Sequence, residues 1–315
     1  MSKKIVYVTG CLGFIGAHVT EVCLKKGWHV MGVDKCTYAS SEGWLDSWSA
    51  QYGDQFHFIK KDINDLDRLY DCDYIINTAA ETHVDNSIED SDAFIHSNVN
   101  GVHHLLKLIN KKKYKKPVFL HFSTDEVYGD IEQGSHTEID LLKPSNPYSA
   151  TKAAADHLVT SWGRTYGLPY VIVRPTNNYG IGQYVEKLIP KTIKYLSVGR
   201  KVDLHNNGEP VRTWLNAKDT AEAVITIIEA GVLDEIYNIS GNYETQNIEV
   251  VKKIVDLLAL TGPIDNYFEH MVRIGQDVRY SIDDSKLRSL GWKPQAEFDK
   301  ELMDIVQYYK HNFIW

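Results

Sequence analysis

Thr9-Gly10-Cys11-Leu12-Gly13-Phe14-Ile15-Gly16 follows the β-branched run Ile5–Thr9 (IVYVT) and opens a segment of helical spacing over 17–26. The glycines are spaced GxxGxxG. A turn this tight lets backbone N–H groups approach a pyrophosphate, and the helix start behind it adds a favourable dipole. The last glycine permits close helix–strand packing. Asp34 ends the second apolar run, 30–34, and stands 18 residues after Gly16. A carboxylate there accepts both hydroxyls of an adenosine ribose and repels a 2′-phosphate, which favours NAD over NADP. Lys35 beside it tempers that preference. Gly10, Gly13, Gly16 and Asp34 are therefore candidate cofactor residues.

Outward from this loop, short apolar runs recur at 56–59, Tyr74–Asn77, Val118–Phe122 and 170–174. Helical spacing lies between them, at 17–26, 94–110 and 149–166. Strand and helix alternating in this way predict an α/β protein with right-handed crossovers. Runs with little polar alternation fit strands buried on both faces. The expected fold is a Rossmann-type doubly wound parallel sheet over 1–174. A smaller C-terminal α/β domain follows over 175–315, with part of 211–240 available to rejoin the first. In that second part 187–198, 220–230, 248–260 and 301–311 read as helices, and 201–204 and 237–240 as strands. There is no internal repeat and no low-complexity tract.

Composition narrows the class. Thirty-four Lys and Arg face 42 Asp and Glu, a formal charge of −8. That balance argues against a partner bound through phosphate neutralisation, so nucleic acid is not expected. Four cysteines in 315 residues, with no CxxC pair, are too sparse for a disulfide framework and fit a reducing cytoplasm. No metal site is expected. The start lacks the apolar run of a signal peptide, and nowhere is there a run near the ~18 apolar residues of a membrane helix.

Two further groups carry chemistry. Tyr148 and Lys152 are four residues apart in a helical stretch that begins at Pro147, so both project from one side, ~5–6 Å apart at Cβ. An ammonium near a phenol favours phenolate, which is a competent base for a sugar hydroxyl. Ser123-Thr124-Asp125-Glu126 lies just past the run Val118–Phe122, at the carboxyl end of a strand, where ligands bind in such sheets. Two adjacent acids at that edge are costly unless solvated or used. One reading makes Thr124 a helix cap with the acids on the dipole. The other makes them an acid–base pair whose pKa values split because both cannot charge together.

The chain resembles the extended short-chain dehydrogenase/reductases, and among them the nucleoside-diphosphate-glucose 4,6-dehydratases of the dTDP-glucose type. The resemblance runs over essentially the whole chain. It rests on TGCLGFIG (9–16), VDKCTYAS (33–40), AAETHVDNSI (79–88), STDEVYGD (123–130), PYSATKAAADHLV (147–159), NNYG (177–180), EKLIP (186–190) and VRTWL (211–215). It implies a hydro-lyase with tightly held, recycled NAD. Tyr148 would take the C4 hydroxyl proton, Thr124 would bond that oxygen, and Lys152 would hold the nicotinamide ribose and tune Tyr148. Glu126 would remove the C5 proton and Asp125 would protonate the departing C6 hydroxyl. Phe14, Ile15, Asp34, Lys35, Thr37, Asp62, Ile63, Ala79, Ala80 and Asn178 match cofactor positions. Thr82, Asn177, Lys187, Leu188, Arg212, Asn238 and Arg273 match substrate positions, with Lys187 and Arg212 as cations for a diphosphate. A homodimer pairing the helices at 94–110 and 149–166 is also implied.

The chain departs from the family pattern on the substrate side. Its late segment reads Val272-Arg273-Ile274-Gly275-Gln276-Asp277, keeping Arg273 and Gly275 but not the usual first Asp, Pro and His. Thr213 and Asn86 stand where Asp and Arg are common. These changes leave dTDP-glucose and UDP-glucose both open as substrate. A 4-epimerase on the same scaffold shares the glycine loop and the Tyr148–Lys152 pair. It has no need of Asp125 and Glu126, because epimerisation loses no water.

Overall fold

A computed structural model describes residues 3–273 and 277–312 of the chain. Its strands are β1 (Ile5–Thr9), β2 (His29–Asp34), β3 (Phe56–Lys60), β4 (Tyr74–Asn77), β5 (Val118–Phe122), β6 (Tyr170–Pro175), β7 (Asn177–Tyr179), β8 (Val202–His205), β9 (Val211–Asn216), β10 (Glu235–Ile239), β11 (Tyr243–Gln246) and β12 (Phe268–Met271). Its α-helices are α1 (Phe14–Lys25), α2 (Gly43–Tyr52), α3 (Val84–Glu89), α4 (Asp92–Phe94), α5 (Gly101–Asn110), α6 (Pro147–Tyr166), α7 (Leu188–Ser197), α8 (Ala217–Ala230), α9 (Asn247–Leu257), α10 (Ser285–Arg288) and α11 (Phe298–His311).

Seven strands form one sheet in the order β10-β6-β5-β4-β1-β2-β3, and every pairing is parallel. This is the doubly wound arrangement, with its switch point between β1 and β4. Successive residues of a strand face opposite sides. Val6 and Val8 join one core with α1 and α8, while Tyr7 joins the other with α5 and α6. Both faces are thus buried, which is why the strands read as nearly unbroken apolar runs.

Helix α8 packs on α1 and β10 becomes the edge strand beside β6. The chain between 217 and 239 therefore returns to the large sheet. A three-stranded sheet, β11-β9-β7, and the pair β12-β8 lie outside it. Tyr179, Trp214, Ile193, Ile254, Phe298 and Leu302 share the core beneath them.

The single helix expected over 94–110 is broken. Ile95–Asn100 winds as a π-helix between α4 and α5. The wider turn lets the Asn98 amide bond both backbone groups of Glu81, accepting at 2.9 Å and donating at 3.0 Å, while it also donates to Thr151. A π turn that pins a loop beside a cavity is a common functional device. Among the described residues, no helix is long and apolar enough to cross a membrane.

Candidate active site

The carboxyl ends of β1, β2, β4, β5 and β6 open into one cavity of about 1460 Å³, counting its open mouth. Its floor is the glycine loop. Gly10 has φ of +70°, and a Cβ there would lie 2.7 Å from the Ala79 nitrogen. A Cβ on Gly16 would lie 2.0 Å from the Gly10 oxygen, so helix and loop touch backbone to backbone. Gly13 caps α1, whose first N–H groups have no partner within the helix. At the end of β2, the buried Asp34 carboxylate accepts from the N–H groups of Leu12 (3.0 Å) and Cys36 (2.8 Å) and from the Ser40 hydroxyl (3.0 Å). That ties the loop to the strand and leaves the carboxylate on the cavity wall. A cradle only glycine can line, a helix start and a carboxylate in this order fit a dinucleotide.

Every residue expected at the cofactor lines this cavity except Lys152. So do Thr82, Asn177, Thr124, Asp125 and Glu126. Lys187 lies at the same wall, its ammonium 3.1 Å from the Thr82 oxygen and 3.2 Å from Glu186. The structure also brings in residues that the sequence reading gave no role. Glu81 pairs with Lys35 at 3.3 Å, Ser97 accepts from Lys35 at 3.3 Å, and Tyr184 packs edge-on against Tyr38. Glu81 lies inside the quoted AETHVDNS stretch, which was the signal available for it.

Beyond β5, Thr124 caps the short 3-10 helix Asp125–Tyr128, its hydroxyl accepting from the Glu126 N–H. The same hydroxyl donates to Asp125 at 3.1 Å. The other Asp125 oxygen is buried without a partner. Burial, and then the neighbouring Glu126, push the Asp125 carboxyl up to about 7. Burial also raises Glu126, but the Arg212 cation and the Asn146 amide pull it back. The two acids are therefore unequal: Asp125 is the one poised to carry a proton.

Tyr148 sits in the first turn of α6, where Pro147 begins the helix and Asn146 forms a capping box with Ser149. Its N–H is held by the Ser87 hydroxyl at 3.2 Å. Burial, Glu126 and Asp125 raise its phenol, and a hydrogen bond with Thr124 opposes them. The expected lowering of the phenol by Lys152 does not offset these effects. The Lys152 ammonium, one turn further along α6, donates to the Phe122 carbonyl at 2.5 Å.

Four substrate expectations land off the cavity wall. Asn238 is fully buried in β10. Its amide accepts from Tyr128 at 2.8 Å and donates to the carbonyls of His136 and Asp283, so it ties β10 to the segments around those residues. Arg212 is buried over the Tyr280 ring and donates to the carbonyls of Val211 and Asp277. Leu188 starts α7 and packs into the smaller core. Arg273 makes a two-pronged pair with Asp85, at 2.6 and 2.7 Å. Gly275, with its neighbours Ile274 and Gln276, lies outside the described residues.

Comparison with known proteins agrees with this geometry. The family described as GDP-mannose 4,6 dehydratase matches residues 7–305. A dTDP-glucose 4,6-dehydratase of Haemophilus influenzae is 38% identical, with 98% of each chain covered. One from Xanthomonas campestris pv. campestris is 40% identical, covering 98% of this chain and 93% of its own. The crystal structure of a dTDP-glucose 4,6-dehydratase from Streptomyces venezuelae, solved with NAD bound, superposes with a TM-score of 0.92 at 35% identity. That match covers 98% of this chain and 97% of the other. With the glycine cradle, the acid pair and the Tyr148 helix converging on one cavity, the chain belongs to the GDP-mannose 4,6 dehydratase family.

Proposed function

We propose that this chain is a sugar-nucleotide 4,6-dehydratase, a hydro-lyase that converts dTDP-glucose or UDP-glucose to the 4-keto-6-deoxy sugar nucleotide. The observation that carries this reading is the unequal pair Asp125–Glu126, set in the same cavity as Tyr148 and the dinucleotide cradle. Loss of water needs one carboxyl to take a proton and another to give one, and epimerisation needs neither.

In this reading NAD, held by Gly10, Gly13, Phe14, Ile15, Gly16, Asp34, Lys35, Thr37, Asp62, Ile63, Ala79, Ala80 and Asn178, supplies the hydride acceptor and later the donor. Tyr148 accepts the C4 hydroxyl proton while Thr124 bonds that oxygen. The resulting ketone acidifies the C5 hydrogen. Glu126 takes that proton as the C5–H bond breaks, and the electron pair expels the C6 hydroxyl. Asp125 protonates this hydroxyl, which leaves as water. Glu126 then returns a proton to C5. Lys187, with Thr82 beside it, serves the diphosphate, and Asn177 serves the sugar. Arg212, which lies off the cavity wall, acts on Glu126 through its charge and favours the ionised carboxylate.

The four cysteines are unpaired, in keeping with a cytoplasmic enzyme. Ile95 and Tyr166 are exposed along the two helical stretches expected to pair in a homodimer. The test of function is incubation with dTDP-glucose, UDP-glucose and UDP-N-acetylglucosamine, read by mass spectrometry. Loss of one water from a glucose nucleotide is the expected result. An isomerised sugar with no water lost overturns the reading in favour of the epimerase.

A further inference from the structure

Behind Glu126 stands a group of side chains to which the reaction as derived above gives no part. They arrive from the far end of the chain. Val278 accepts from the Val211 N–H at 2.8 Å, Arg279 from Ile131 at 3.0 Å, and Ser281 from His136 at 2.9 Å. This lacing carries one segment past both β9 and the loop that follows the acid pair. It delivers Tyr280, which is buried, to Glu126.

The Tyr280 hydroxyl donates to the Asp277 carboxylate and lies 3.5 Å from Glu126 Oε2. The same Glu126 oxygen is 3.5 Å from the Asn146 amide. The single phenol proton is shared between Asp277 and Glu126, so the Tyr280 hydroxyl and the Asn146 amide meet at one oxygen, one from the C-terminal part and one from the start of α6. Neither is free to drift. Asn146 is locked into its capping box. The Tyr280 ring lies 4.3 Å under the Arg212 guanidinium, and Arg212 is pinned by two backbone carbonyls. Asp277 also takes the Ser145 hydroxyl, so the anchor of Tyr280 is itself anchored.

A carboxylate that takes a proton from carbon must present one oxygen along the breaking C–H bond, with its other oxygen held. Misplacing such a group by about 1 Å can cost roughly 100-fold. We propose that Tyr280, held by Asp277 and stacked under Arg212, is a positioning residue that fixes Glu126 as the base for the C5 hydrogen. The proposal rests on the dehydratase reading and deepens it. It assigns the late Asp277–Tyr280 segment to one chemical step, water elimination, and not to C4 oxidation.

Tyr280→Phe tests it, because the ring stays under Arg212 and only the hydroxyl goes. Single-turnover samples are quenched and read by mass spectrometry for two species, the keto sugar that still holds its water and the dehydrated product. The expected result is oxidation within about twofold of the wild-type rate and dehydration slower by roughly tenfold to a hundredfold, so that the hydrated keto sugar builds up. Asp277→Asn keeps the phenol and removes the charge that holds it, and it should give the same imbalance on a smaller scale. Dehydration at the wild-type rate in both variants overturns the proposal. Equal slowing of both steps also overturns it, since that is what a packing role alone produces. If the wild-type protein dehydrates no glucose nucleotide, the dehydratase reading itself falls, and this assignment with it.

Discussion

The Lys152 ammonium lies 2.5 Å from the carbonyl oxygen of Phe122, the last residue of β5, and makes no hydrogen bond to Tyr148. The two side chains leave one face of α6, as their spacing requires, yet the buried cation takes the nearest acceptor. Burial lowers the Lys152 ammonium to about 8, and Asp156 one turn further on works against that fall.

This makes Lys152 a residue kept at the expense of stability. Its folded value lies below its ordinary 10.5, so the unfolded chain binds the proton more tightly between about pH 8 and 10.5. Stability therefore rises with pH across that window. Lys152→Met should melt higher than wild type at pH 7, by roughly 2–4 °C for each kcal/mol relieved. The difference should shrink above pH 10. Product formation should also fall, because Lys152 is the residue expected to hold the nicotinamide ribose. Thermal melts at pH 7 and 10, beside a turnover assay, check both; a variant that melts lower at pH 7 would show that the charged lysine is a net stabiliser.

Asp125 works in the opposite direction. Its carboxyl is raised from 3.8 to about 7 by burial and by Glu126. The stability it contributes is present at low pH and lost as pH rises through about 7. Asp125→Asn should thus be more stable than wild type at pH 8 and nearly equal to it at pH 4. It cannot give a proton, so dehydration should drop by roughly 100-fold or more while C4 oxidation continues. Dehydration by the wild type should decline above about pH 7. Glu126→Gln should also oxidise C4 without losing water. Unchanged product formation in Glu126→Gln would sink its assignment as the base.

The parts of this site that were legible in the sequence are those whose chemistry is local. The glycine loop and the strands Tyr74–Asn77 and Val118–Phe122 depend on neighbours a few residues away, and residue type with spacing carried them; the pair Asp125–Glu126 stayed open between a helix cap and an acid–base pair, and only the family resemblance gave it roles. Arg212 was read as a diphosphate cation because charge is all that a lone arginine shows. Its direction is set by the Tyr280 ring, which the fold brings from a distant segment. Asn238 had the right chemistry for a ligand, but it spends that chemistry on Tyr128, His136 and Asp283. The strands β7, β9 and β11 went unread for a related reason. They meet only after three separated stretches of chain have folded.

The pair Arg174–Asp156, which joins β6 of the large sheet to α6, should be a highly sensitive charge pair. Arg174 reaches Asp156 at 2.9 and 3.0 Å, and both side chains are almost wholly shut from water. Asp156→Asn would leave the guanidinium buried without its counter-ion. Removing one partner of such a pair typically costs about 3–5 kcal/mol. The lower end is expected here, because the Tyr128 hydroxyl at 2.7 Å and its ring remain as partners for Arg174. A urea titration should show the loss as a lower midpoint at an unchanged slope.

The glycine loop separates close approach from mere flexibility. Gly13 has φ of −72°, open to any residue, and a Cβ there would meet only the Gly10 oxygen at 3.3 Å. A Cβ on Gly16 would lie 2.0 Å from that same oxygen and 2.6 Å from Thr78 Oγ1. The first overlap is relieved by a small shift, while the second forces α1 away from the loop. Gly13→Ala should keep stability within about 1 kcal/mol, whereas Gly16→Ala should cost about 3 kcal/mol or more, at or beyond the upper end for overpacking. Because the displaced helix start is what faces the pyrophosphate, Gly16→Ala should also lose NAD on gel filtration while Gly13→Ala retains it. Equal retention by the two variants would mean that the loop, and not the packing of α1 upon it, holds the dinucleotide.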